Sequence, residues 1–145
     1  SHEANVPPTE TCMNCHSPNG PKIAIDKSSL EPLRASFATG ESMEWVRVHK
    51  LPDYAYFNHA VHLRAGVGCA SCHGNIAQME VVQQAQPLSM GWCLDCHRDP
   101  VNHLRPLDPL TNMTWLPPKD QYSQALQFIK DRNLNPPEDC SACHR

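Results

Sequence analysis

The run Cys69-Ala70-Ser71-Cys72-His73 decides how this chain is read. It recurs as Cys93-Leu94-Asp95-Cys96-His97, as Cys12-Met13-Asn14-Cys15-His16 and as Cys140-Ser141-Ala142-Cys143-His144. These four copies use all 8 cysteines. Cys-x-x-Cys-His is the attachment signal for c-type haem. Two thiols bind the two vinyl groups of a porphyrin, and the following histidine reaches the iron as its proximal ligand. A lone Cys-x-x-Cys is ambiguous between zinc, a redox dithiol and haem. Neither a four-thiolate zinc site nor a disulfide framework explains a histidine after every pair.

Composition agrees. The chain has 145 residues, 14 prolines, 6 glycines and 6% aromatic residues. That is little apolar material for a layered core. Four porphyrins would supply one, and without them the polypeptide is expected to be largely unfolded. The expected fold is a multihaem cytochrome c, in which short α-helices and irregular coil wrap a haem core with little β-structure. Residues 1–145 read as one domain. The formal net charge is −3 and no basic run is present, so nucleic acid is not an expected partner. Covalent haem attachment implies an export compartment. No apolar run is long enough to span a bilayer.

The motifs are unevenly spaced. Residues 17–68 separate the first two, residues 74–92 the middle two and residues 98–139 the last two. The middle haems should therefore be neighbours. Thr9 or Thr11 is expected to cap a helix carrying the first motif. Helices are expected over 28–37, ended by Gly40, and over 58–64, closed by Gly66 and Gly68. Residues 44–48 alternate like a short strand. Residues 78–86 are read as helical and 99–118 as mostly irregular. The longest expected helix is 120–132, with Tyr122, Ala125, Leu126 and Ile129 on its apolar face and Phe128 to one side.

Six-coordinate iron needs a distal ligand for each haem. Five histidines lie outside the motifs: His2, His49, His59, His62 and His103. His59 and His62 stand three apart on an expected helix, so they diverge by about 60° and can address two haems. His49 precedes the turn Leu51-Pro52-Asp53. Met113 is the methionine candidate, and such a ligand raises the reduction potential. His103 is the weaker histidine candidate. Met43, Met79 and Met90 read as core, and Trp45, Trp92 and Trp115 as packing against porphyrins.

The histidine pair ahead of Cys69 resembles class III multihaem cytochromes c, where such a pair serves two haems. A longer set of matches is more specific. It comprises Trp45 to His62, Cys69 to Gly74, Ser89 to Arg98, Pro7 to His16 and Thr111-Asn112-Met113-Thr114-Trp115. Together these runs resemble the multihaem cytochrome c subunit of bacterial alternative complex III, a quinol oxidoreductase. That family is pentahaem, with a membrane helix and a first haem segment upstream of the part matching residues 1–16. The resemblance therefore implies four haem c groups on this chain; either an N-terminal segment with a fifth haem precedes Ser1 or this is a shorter relative of the family. It implies a place on the periplasmic face of the cytoplasmic membrane, beside iron–sulfur and polytopic membrane subunits. Electrons from quinol oxidation would leave to a monohaem cytochrome c or a terminal oxidase. The chain would be an electron-transfer subunit, not itself an enzyme. Two alternatives are a free periplasmic class III-type tetrahaem carrier and a multihaem reductase with an open haem site. The first would carry a lysine-rich docking patch, which this sequence lacks.

Overall fold

The computed structural model describes residues 6–21, 24, 26–108 and 110–144. The chain divides into two compact units, one over Ala4–Arg47 and one over Val48–Arg145.

In the first unit, helix α1 (Thr9–His16) carries the first motif. Pro8, not a threonine, occupies its cap position, and no side-chain cap bond forms there. Proline fits because its fixed extended backbone precedes a helix without needing an N–H. A 3-10 turn over Ser28–Leu30 leads into α2 (Glu31–Thr39). Pro32 sits in the first turn of α2, and Gly40 ends it in the left-handed conformation (φ 75°). The expected strand over 44–48 does not form, and Val46 is 89% exposed. No neighbouring strand among the described residues takes up its backbone groups, so alternation alone stabilises nothing.

The second unit holds α3 (His59–Ala65), α4 (Cys69–His73), α5 (Met90–Arg98), α6 (Gln121–Asp131) and α7 (Cys140–Cys143). Among the described residues no helix is long and apolar enough to cross a membrane. The caps follow from sequence: Asn58 accepts from the Ala60 N–H, Ser89 from Trp92 and Asp139 from Ala142. Gly66 closes α3 at φ 98°, where a Cβ would also come within 2.7 Å of the Arg105 carbonyl. Residues 78–86 are not a helix. A 3-10 turn covers Ile76–Gln78, and the following stretch is irregular and largely exposed, with no apolar face to pack.

The small core of this unit lies where the sequence reads as irregular. Leu104 is 1% exposed and Ala125 0%, with Val101 beside them and Val67, Phe128, Ile129 and Leu134 packed around. The face that α6 buries is thus Ala125, Phe128 and Ile129, while Tyr122 and Leu126 face outward. The 3-10 turn Val101–His103 receives that face. Gln121 Nε2 donates to the Leu104 carbonyl, and Arg132 Nη1 to the Ala65 carbonyl at 2.9 Å.

Arg105 is 4% exposed. Its guanidinium donates to the carbonyls of Leu110 and Asn112, lies 5.4 Å from the Trp115 ring centroid, and packs against Gly68, the residue before Cys69. It thereby ties the 110–115 loop to the start of α4. Arg105→Met is expected to lower stability by roughly 1–3 kcal/mol for each carbonyl left without a donor. The denaturant midpoint of the haem-loaded protein measures this. An unshifted midpoint would mean the carbonyls find other partners.

Candidate haem-binding site

Every motif lies on a helix or its last turn. Cysteines at i and i+3 and a histidine at i+4 then share one helix face, as one porphyrin edge and its iron require. All eight cysteines are free. Among the described residues no three of His, Cys, Asp or Glu converge as a metal-ion site, so the motifs are not gathered into four-thiolate zinc centres there. Burial pushes the Cys72 thiol up to about 11, and the nearby Cys96, Cys93 and Cys69 add to it. Burial also raises Cys93, with Cys143 adding to it, and raises Cys96, with Cys93 adding. The middle two motifs are thus close in space, as their short spacing predicts.

Helix α3 presents its two histidines to these two motifs. The rings of His59 and His73 are parallel within 5°, with centroids 6.4 Å apart. The rings of His62 and His97 lie 6.1 Å apart at 41°. Two imidazoles on opposite sides of one metal hold their centroids about 6 Å apart, because each metal–nitrogen bond is about 2 Å long. Both pairs therefore have the separation of an axial couple.

The ring tautomers agree. His62 Nδ1 donates to the Asn58 carbonyl at 2.9 Å, and His97 Nδ1 to the Pro137 carbonyl at 2.6 Å. His144 Nδ1 points at the Tyr54 carbonyl at 3.4 Å. A carbonyl only accepts, so each Nδ1 carries a proton, and Nε2 is the nitrogen left to face a metal. Burial holds His62 below the usual imidazole range, and His97 and His59 add to this against the Asn58 bond. Burial, then His49 and His59, lowers His73 as well. Both shifts favour the neutral ring, the form that ligates. His59 Nδ1 is buried with no hydrogen-bond partner.

Phe57 was missed by sequence reasoning. Its ring centroid lies 4.7 Å from that of His59 and 4.5 Å from that of His62, so it wedges both. An aromatic residue just ahead of the pair was the available signal. The last motif is held by Tyr56 N–H donating to the Cys143 carbonyl at 2.7 Å and by the Ala55–His144 bridge. Arg98 and Glu138 pair at 3.1 Å near the surface, between α5 and the lead-in to α7.

The remaining candidates lie as follows. His49 meets His73 with ring centroids 4.4 Å apart. His16 ends α1 in the other unit. His103 ends its 3-10 turn and is half-buried. Met113 is half-buried beside Asn112, whose carboxamide accepts from Thr114. Trp92 and Trp115 are half-buried and Trp45 is exposed. His2 lies outside the described residues.

Short helices without a strand among the described residues, four attachment motifs and two imidazole couples define a multihaem cytochrome c. Residues 55–145 match the family model described as cytochrome c7 and related cytochrome c, and the chain belongs to that family. No curated protein was found to match it. The family makes it a multihaem electron carrier and implies haem c as its cofactor. The donor set fits that group: cysteines in pairs able to form thioethers, each followed by a histidine, and imidazoles whose Nδ1 is tied to a carbonyl so that Nε2 is left for the iron.

Proposed function

We propose that this chain is an electron-relay subunit with bis-histidine haems at its centre. His73 and His59 would hold the haem attached at Cys69 and Cys72. His97 and His62 would hold the haem attached at Cys93 and Cys96. The observation that carries this reading is that one helix, α3, sets both couples at axial spacing. Bound haem supplies reversible one-electron chemistry at iron. The polypeptide fixes the imidazole planes through Asn58, Pro137 and Phe57 and keeps the two sites adjacent. The motifs at Cys12 and Cys140 would carry two further haems through His16 and His144.

The ring angles give a spectroscopic expectation. Parallel imidazole planes split the iron orbitals that share the unpaired electron, and twisted planes reduce the splitting. The ferric protein should show a rhombic low-spin signal from the His59–His73 haem and a more anisotropic one from the His62–His97 haem. Electron paramagnetic resonance reads both. A spectrum without any rhombic low-spin component would contradict the parallel couple.

The long sequence runs around Trp45–His62 and Ser89–Arg98 support a finer reading, that of the multihaem cytochrome c subunit of alternative complex III. In that reading the chain sits on the periplasmic face of the membrane and receives electrons from quinol oxidation through an iron–sulfur subunit. It passes them to a monohaem cytochrome c or terminal oxidase. Native electrophoresis of mildly solubilised source membranes, with haem staining and mass spectrometry, tests this. Co-migration with polytopic subunits and a large iron–sulfur protein is expected. Recovery as a free soluble cytochrome would replace the complex with the carrier.

A further inference from the structure

We propose that His49 is a positioning residue for the proximal ligand His73, and not an iron ligand. His49 Nε2 lies 3.3 Å from His73 Nδ1, and the rings meet edge-on at 82°. For His73 to offer Nε2 to iron its Nδ1 must carry the proton, so His73 Nδ1–H donates and His49 Nε2 accepts. His49 is then the Nδ1–H tautomer, with no ring lone pair left for a metal. The position across from His73 is already taken by His59. The turn after His49 is fixed by Ala55 N–H donating to the Pro52 carbonyl at 2.9 Å.

This arrangement differs from that of the other motif histidines of the same unit. His97 and His144 direct Nδ1 at backbone carbonyls, whereas His73 directs it at a side chain. The partner of a ligating histidine fixes its tautomer and plane and raises its basicity. A more basic ligand favours ferric iron. His49 would hold the potential of the Cys69/Cys72 haem down through a bond that one substitution removes.

The inference rests on the reading of His59 and His73 as one axial couple, so the experiment separates the two. The variants H49L, H49Q and H59A are prepared in the full haem-loaded chain. Haem content by mass, ferric spin state by paramagnetic resonance, and a spectroscopic redox titration are recorded for each. H49L should keep every haem low-spin, move one redox wave upward and alter the g-values of one signal. H49Q keeps an acceptor oxygen, so its wave should lie nearer the original. A high-spin haem in H49L or H49Q would make His49 an iron ligand and overturn the proposal. An unmoved wave with unchanged g-values in H49L would also overturn it. If H49L is not recovered with full haem, H49Q decides by spin state: all low-spin supports the proposal. H59A leaving every haem low-spin would instead sink the underlying couple.

Discussion

His59→Ala should convert one haem from six-coordinate low-spin to high-spin, and His62→Ala should convert a different one. The two histidines stand three apart on α3, and their rings face different motif histidines, His73 and His97. Alanine removes the imidazole while Asn58 still caps the helix and Gly66 still ends it, so the change is confined to one iron each time. The expected loss is complete for one low-spin signal. H59A should remove the rhombic signal of the parallel couple, and H62A the more anisotropic one. Each variant should also gain carbon monoxide binding at one ferrous haem, and that haem should rise in potential. If the same signal vanished in both variants, the pair would serve one haem and the assignment would fail. Phe57 packs on both rings, so the effects should be near-additive only if its ring holds still.

Cys69→Ser combined with Cys72→Ser should abolish the folded state of the 48–145 unit, not merely one redox centre. The polypeptide buries little by itself. Val101, Leu104 and Ala125 are its buried hydrophobic residues among those described, while Val81, Leu116, Tyr122 and Leu126 stand exposed. The parts around the haem motifs are short: α4 spans 5 residues and α7 4, lengths that do not persist without tertiary support. Losing one buried Trp-sized aromatic body costs roughly 3–5 kcal/mol, and a porphyrin is larger. Whole domains are stable by only about 5–15 kcal/mol. Limited proteolysis and far-ultraviolet circular dichroism measure the outcome. Rapid cleavage throughout 48–145 is expected. A protease-resistant variant lacking that haem would show that the Leu104–Ala125 core suffices.

Much of the site was legible because covalent chemistry fixes its spacing. The cysteine pairs and following histidines need no tertiary information, and the three-residue step from His59 to His62 translates directly into two directions. The helices bounded by strong local signals also read well, as with Asn58 and Gly66 around α3 or Pro32 and Gly40 around α2. What failed was decided by partners distant in sequence. Residues 44–48 alternate, yet find no strand to pair with among the described residues. Residues 78–86 have acceptable helix composition but no surface to lie on. The buried face of α6 turned to Ala125, Phe128 and Ile129 because the Val101–Leu104 turn sits there, and that turn reads as loop. Arg105 looks like a surface residue in sequence and is buried only because two loop carbonyls and Trp115 enclose it. The bond from His73 to His49 joins residues 24 apart and has no sequence signature.

The proposed two-haem relay stands or falls with an experimental structure of the haem-loaded protein, at a resolution that places each iron and its axial nitrogens. One iron should be bonded by Nε2 of both His59 and His73, and a neighbouring iron by Nε2 of both His62 and His97. An iron of either motif ligated across its far face by any other side chain, or left open, would contradict the two couples.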